Sequence, residues 1–357
     1  PARRGAAAMA DSIPEAADPM SDPAIAATRR IEGKPQVFVT RRLMPVVEQR
    51  MGELFDARLN GDDHPLSRDE LAEAMATCDV LVPTVTDEID KALIDVAGDR
   101  LRLIANFGAG TDHIDLAAAR ARRIIVTNTP SVFTDDTADL TMALLIGVMR
   151  RMREGTRIVR HGEWKGWGPT GMLGRSLGGK TLGIIGMGRI GQAVAHRARA
   201  FGMQIIYHNR RRLPESVERM LGAEFAADVD DLLAKCDIAT LHCPSTASTH
   251  HLIDARRIAL MKDGAVIVNT GRGELIDQEA MIAALESGHL WGAGLDVYPE
   301  EPVVDPRLIA HPYVITQPHI GSATEEGRTA AGVKIIANIR SWVDGHSPPD
   351  RVIEGYA

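Results

Sequence analysis

The chain is poor in anything that would staple, anchor or strongly charge it. Only three of its 357 residues are cysteine: Cys78, Cys236 and Cys243. They form no CxxC pair and cannot all pair among themselves, so no disulfide framework is expected and a reducing cytoplasm is the expected compartment. No run approaches the roughly 18 apolar residues of a membrane span. Positive charge is not in excess: 41 Lys and Arg against 48 Asp and Glu leave a net charge of −7, with a pI near 6.0. That balance argues against a nucleic-acid or membrane-surface partner. The 12 histidines show no HxxxH or HExxH spacing, so no metal site is expected, and the neighbours His250 and His251 read as solvated surface. Internal repeats of 20–50 residues and coiled-coil heptads are missing as well.

What remains is an ordinary globular composition, 45% hydrophobic and 25% charged. At roughly 150 residues per domain the length suggests two domains, enough for two cores without staples. Residues 1–33 are rich in Ala, Pro and small polar residues and show no periodicity, so a disordered tail is expected there. Asp11, Glu15, Asp18 and Asp22 speak against a mitochondrial presequence, and no unbroken apolar stretch suits a secretory signal.

From Gln36 onward short apolar runs alternate with helix-like segments. The runs at 36–40, 78–83, 102–106 and 123–127 predict buried parallel strands, and the segments 67–77 and 87–97 predict helices opened by Ser67 and Asp87. A second set of strands follows at 181–186, 203–208, 237–242, 265–270, 292–297 and 313–316. This βαβ rhythm implies an α/β fold with parallel sheets covered on both faces. Between the sets, residues 134–160 read as one helix with a buried face of Ala138, Thr141, Met142, Leu145, Val148, Met149 and Met152. Its arginines at 150, 151, 153, 157 and 160 read as a solvated face. An amphipathic stretch at 322–344 closes the chain and is suited to folding back on the first domain.

Gly186-Met187-Gly188-Arg189-Ile190-Gly191 directly follows a strand and opens a helix, which is the setting a dinucleotide fingerprint needs. Gly186 suits the tight turn, Gly188 a close approach to pyrophosphate and Gly191 close helix–strand packing, while the helix N-terminus offers N–H groups to phosphate. About 20 residues on, where an NAD site usually carries an acid, the strand ends in Tyr207-His208-Asn209-Arg210-Arg211-Arg212. A carboxylate would repel a 2′-phosphate and arginine binds it, so NADP(H) is favoured, with NAD(H) as the alternative. A second glycine turn, Asn106-Phe107-Gly108-Ala109-Gly110-Thr111, lacks the third glycine and suits a small anion better than a dinucleotide.

Polar residues also cluster where three strands end: 269–273 (NTGRG), 296–302 (DVYPEEP) and 318–322 (PHIGS). Open α/β sheets bind ligands at those ends. With NFGAGTDHID (106–115), GIIGMGRIGQA (183–193), NTGRGELID (269–277), GLDVYPEEP (294–302) and PHIGSAT (318–324), the chain from about Gln36 onward resembles the D-isomer-specific 2-hydroxyacid dehydrogenases. It is most similar to their glyoxylate/hydroxypyruvate reductase branch.

The resemblance implies two Rossmann-like, doubly wound parallel-sheet domains with a cleft between them. Residues 34–128 with 320–357 would form the substrate domain and 129–319 the dinucleotide domain. It implies a catalytic trio of Arg272, Glu301 and His319. His319 would donate the proton to a 2-keto acid, Glu301 would orient the ring and raise its pKa, and Arg272 would hold the substrate carboxylate and carbonyl. Backbone N–H groups of Ala109 and Gly110 would bind the same carboxylate. The coenzyme site would comprise Gly186, Gly188, Arg189, Ile190, Gly191, Asn209, Arg210, Arg211, Cys243, Pro244, Thr137, Thr270, Asp296 and Gly321, with Asp296 holding the nicotinamide carboxamide. Glyoxylate and hydroxypyruvate would be the substrates, with another D-2-hydroxyacid specificity as the alternative, and a homodimer the assembly. Trp164 and Trp167 resemble aromatics that reach a neighbouring subunit's pocket, and ordinary interface packing suits them equally. Glu301 stands where formate dehydrogenases of the same superfamily carry Gln, which favours hydroxy-acid chemistry. A nucleotide-sensing co-repressor is the alternative from another class, and no positive feature of the sequence supports it.

Overall fold

The computed structural model describes residues 33–353, so all of the expected disordered tail except Gly33 lies outside the described residues. Two sheets organise the chain. The first contains β1 (Gln36–Val39), β2 (Asp56–Arg58), β3 (Val80–Val82), β4 (Leu103–Ala105) and β5 (Ile125–Thr127), in the order β2-β1-β3-β4-β5. The second contains β6 (Thr181–Ile185), β7 (Gln204–His208), β8 (Ala223–Phe225), β9 (Ile238–Leu241), β10 (Ala265–Asn269), β11 (Leu290–Leu295) and β12 (Val314–Thr316). Its order is β12-β11-β10-β9-β6-β7-β8, and all strand pairs in both sheets are parallel. Both orders are doubly wound: they reverse between β1 and β3 in the first sheet and between β6 and β9 in the second. A crevice opens at the carboxyl ends of the strands at such a reversal.

The apolar runs form the central strands because helices cover both faces. Val80, Leu81 and Val82 are fully buried, and each such side chain stabilises the fold by roughly 1.5–3 kcal/mol relative to exposure. One face of the first sheet is closed from far along the chain. The final helix, Glu325–Val343, starts at Thr324, whose Oγ1 accepts from Gly327 N at 2.9 Å. Its Ile335, Ile336, Ile339 and Trp342 pack against Val37, Val39, Val82 and Leu103. Among the described residues no helix is long and apolar enough to cross a membrane.

Three local expectations need correction. Residues 134–160 form two helices, Thr134–Met149 and Met152–Arg160, separated at Arg151 in the left-handed region at φ 54°. A continuous helix would need the Met149 carbonyl to accept from residue 153, but Arg175 N takes it at 2.8 Å. The arginines there are not simply a solvated face: Arg151 pairs with Glu154 at 2.7 Å, Arg157 pairs with Glu163 at 2.8 Å, and Arg153 donates to the Ile309 and His311 carbonyls. Asp87 caps no helix. It is buried and accepts from Thr40 Oγ1 at 2.6 Å and Thr84 N at 2.7 Å, while the helix Lys91–Val96 is capped by Asp90. The short strands β2 and β8 escaped the pattern because both are edge strands with mostly exposed or half-buried residues and carry no apolar run.

Candidate active site

The glycine turn after β6 has the geometry its spacing requires. Gly186 lies at φ +98°, and a Cβ there would stand 2.5 Å from the Cys243 nitrogen, so the turn packs directly on the end of β9. A Cβ on Gly191 would collide with the Gly186 carbonyl oxygen, whereas Gly188 faces open space. The helix Arg189–Ala200 starts there with no side chain capping it, leaving its first N–H groups for an anion. These features fit a dinucleotide pyrophosphate.

The end of β7 is tied to the same turn: Asn209 Oδ1 accepts from Met187 N at 2.6 Å, which leaves its NH₂ as the group for a ligand. Arg210 and Arg211 follow on an exposed stretch. Arg212 is committed elsewhere. It donates twice, at 2.8 Å, to the buried Glu218, which also accepts from Tyr207 Oη at 2.6 Å. Arg212 and Tyr207 hold the Glu218 carboxyl down at about 2. Cys243, followed by Pro244, stands against the turn from the end of β9; burial pushes the Cys243 thiol up to about 11, so it is no nucleophile at neutral pH. Beneath them, burial pushes the His242 imidazole down to about 3 and keeps it neutral.

A second group of residues surrounds the turn after β12. His319 sits at φ 54°, an uncommon conformation for a non-glycine residue and one that clusters at functional sites. Asp296, at the end of β11, holds it there: its carbonyl accepts from His319 N at 2.9 Å, and its two carboxylate oxygens accept from Ile320 N and Gly321 N at 2.7 Å each. Burial nevertheless leaves the Asp296 carboxyl raised. Thr137 Oγ1 donates to the Gly321 carbonyl at 3.1 Å, and Thr141 bridges Thr137 to the Thr270 hydroxyl at 2.8 Å.

His319 Nδ1 lies 2.7 Å from Glu301 Oε2, with the two side chains about one third exposed. Burial raises the Glu301 carboxyl, but the His319 hydrogen bond and charge, a backbone donor at Tyr298 and the charge of Arg272 together bring it below its ordinary value. With Nδ1 engaged, Nε2 is the nitrogen left for a substrate.

Arg272, just past β10, reaches across to the first sheet. Its Nε and Nη2 donate to Asp112 Oδ2 and Oδ1 at 2.9 and 3.0 Å, and its Nη1 donates to the Gly271 carbonyl at 2.9 Å. Burial disfavours both charges, yet their mutual attraction wins: the Asp112 carboxyl is lowered and the Arg272 guanidinium raised. The guanidinium lies so close over Gly110 that a Cβ there would strike Nη2. The structure thus brings Arg272 against the Gly110 turn and pairs His319 with Glu301, whose carboxylate lies within the electrostatic reach of Arg272.

Asp112 itself did not stand out in the sequence, although it lies inside the 106–115 motif. Nor did Asn106, whose amide acts within its own turn, or Asn128 and Glu218, whose partners lie in other segments. Trp164 and Trp167 stand 65% and 85% exposed after the Met152–Arg160 helix.

Comparison with known proteins gives this geometry a context. The family model described as D-isomer specific 2-hydroxyacid dehydrogenase, NAD binding domain, matches residues 142–321. A glyoxylate reductase of Thermococcus litoralis is 44% identical over 323 residues, covering 89% of this chain and 97% of its own length. Another, from Pyrococcus horikoshii, is 42% identical over 323 residues, covering 89% and 96%. Among solved structures, a glyoxylate reductase from Paecilomyes thermophila superposes with a TM-score of 0.81 at 35% identity, over 90% of this chain and 99% of that one. An NADPH-dependent glyoxylate/hydroxypyruvate reductase from Sinorhizobium meliloti, in complex with NADP and malonate, gives 0.81 at 31% identity, over 90% and 98%.

Proposed function

This chain belongs to the D-isomer specific 2-hydroxyacid dehydrogenase family, and on that premise we propose that it reduces glyoxylate and hydroxypyruvate to glycolate and D-glycerate, with NADPH preferred over NADH. One observation carries the reading: the 2.7 Å bond between His319 Nδ1 and Glu301, whose carboxyl also feels the charge of Arg272. A nicotinamide coenzyme bound along residues 186–191 supplies the hydride that reduces the keto carbon. His319 gives the proton that completes the hydroxyl, through Nε2, and takes it back in the reverse direction. Glu301 fixes the ring and balances the charge of the protonated imidazole. Two guanidinium protons of Arg272, one on each terminal nitrogen, are not used by Asp112 or Gly271 and serve the substrate carbonyl and carboxylate. The Ala109 and Gly110 N–H groups share that carboxylate.

The coenzyme would be held by Gly186, Gly188, Arg189, Ile190 and Gly191 at the pyrophosphate. Asn209, Arg210 and Arg211 would hold the adenosine ribose, and Cys243, Pro244, Thr137, Thr270, Asp296 and Gly321 the remainder. The NADPH preference rests on the end of β7. Asn209 uses its oxygen on Met187, so it turns a donor rather than an acceptor toward the ribose, and no carboxylate stands there to repel a 2′-phosphate. In this reading residues 34–128 with 320–357 carry the substrate and 129–319 the dinucleotide. The exposed apolar side chains of Met152, Val159, Trp164, Trp167 and Leu173 support a homodimer, and the three free cysteines support a cytoplasmic setting.

Absorbance of the reduced coenzyme, followed with NADPH or NADH and a panel of 2-keto acids, tests this directly. Oxidation of NADPH with glyoxylate and hydroxypyruvate is the expected result; no consumption with any 2-keto acid would remove the enzymatic reading. His319→Ala is expected to lower turnover at least about a hundredfold with coenzyme affinity nearly unchanged.

A further inference from the structure

The turn at residues 106–113 is held in an unusual way. Asn106 is fully buried, and its Nδ2 donates to the carbonyls of Gly108 at 3.3 Å and Gly110 at 2.8 Å. The carbonyl between them, on Ala109, accepts from Asn128 Nδ2 at 2.7 Å. Gly108 O also accepts from Thr129 N at 2.9 Å. Three successive carbonyls are therefore held, two of them by one interior amide. In a trans peptide the N–H points opposite to the C=O. Fixing these carbonyls fixes the N–H groups of Ala109, Gly110 and Thr111, and those opposed to Asn106 point outward. None of the three N–H groups has an acceptor among the described residues.

The orientation of Asn106 is itself enforced. Its Oδ1 lies 3.0 Å from His113 Nε2, so the ring donates to the oxygen and the NH₂ must face the turn. Burial lowers the His113 pKa and keeps the ring neutral, with one N–H to give; its Nδ1 is buried without a partner. Meanwhile half of the Arg272 fork is occupied by Asp112, which offsets its charge. An incoming carboxylate thus meets an already paired arginine and a set of free, pre-aimed amides.

We propose that Asn106, assisted by Asn128, is the positioning residue of the substrate-carboxylate subsite, fixing three successive carbonyls so that the backbone N–H groups opposed to them are set for the ligand. This rests on the functional reading above. It assigns the binding of the carboxylate mainly to backbone donors, and it makes an interior side chain that touches no substrate a determinant of KM.

The test compares Asn106→Ser and Asn128→Ala with the unaltered chain, using glyoxylate turnover at saturating NADPH and oxamate affinity by titration calorimetry on the NADP-loaded protein. The expected result is a KM for glyoxylate raised about tenfold for N106S and about threefold for N128A, with kcat within about threefold and oxamate weakened in parallel, since one or two charge-assisted hydrogen bonds are misaimed. A purely structural role would lower the amount of active protein, and so kcat, without moving KM. Unchanged KM and unchanged oxamate affinity in the variants would overturn the proposal. Asn128 is half-buried, so N128A tests the claim should N106S not fold. If the unaltered chain turned over no 2-keto acid, the functional reading would fall. The oxamate titration would then still decide the subsite: weakened binding in the variants upholds it and equal binding refutes it.

Discussion

The molecule contains two glycine turns, each following a parallel strand, and they present backbone N–H groups by different means. The turn at 186–191 is self-sufficient. Its glycine spacing sets the close packing on Cys243 and on the Gly186 carbonyl, and the helix that follows supplies the donors through its own geometry. The turn at 106–113 is shaped by side chains instead: its own Asn106 and Asp112, together with Asn128 and Arg272 from other segments. A glycine pattern can therefore set one turn locally through its backbone, whereas the other depends on side chains, two of them from distant segments.

The sharpest way to break this contrast is to spoil the self-sufficient turn from within. Gly191→Val, which drives a branched side chain into the Gly186 carbonyl, should weaken NADPH on the order of a hundredfold, equivalent to about 2.7 kcal/mol, by fluorescence titration. If affinity held, the local account would be wrong. For the turn at 106–113, Asp112→Asn keeps the shape but removes one charge of the bidentate pair. It should lower kcat/KM about tenfold while leaving coenzyme affinity intact. Arg211→Ala should reduce the preference for NADPH over NADH by about fivefold, read as the ratio of the two kcat/KM values; an unchanged ratio would move the phosphate-reading role elsewhere.

The smallest effect concerns Glu218, which scaffolds the loop beyond β7. Its carboxyl lies near 2, below the ordinary 4.5, so it supports the fold above pH 4.5 and that support fades as pH falls toward 2. Glu218→Gln should therefore lower the thermal midpoint slightly at pH 6 and flatten its decline between pH 4.5 and 2.5. Arg212 is largely exposed, which keeps the effect small.

The same contrast explains what could be read in advance. The central strands were legible because burial on both faces leaves continuous apolar runs, as at Val80, Leu81 and Val82. The tight turn at 186–191 was legible because Gly186 and Gly191 act through backbone geometry alone. The break at Arg151 was not, since an apolar periodicity continues to Met152 and the interruption comes from Arg175, a residue 24 positions on. Asp87 resembled a helix cap because any acid before a periodic segment does; Thr40, on another strand, claims it instead. Asn106 carried no mark of its own, because an amide that captures carbonyls looks in sequence like any polar residue in a turn.

The closure of the first sheet by the last long helix has a consequence for biosynthesis. The strands of that sheet are all made once Thr127 has been added, yet the side chains that cover one of its faces, ending at Trp342, follow about 215 residues later. At translation rates of roughly 5–20 residues per second, Val37, Val39 and Val82, already packed with Val47, Met51 and Phe55, wait on the order of 10–40 s for the rest of their cover. The second sheet, whose strands are complete at Thr316, has no such delay. The half of the protein that leaves the ribosome first is thus the half whose core receives its last side chains latest, from Ile335 to Trp342.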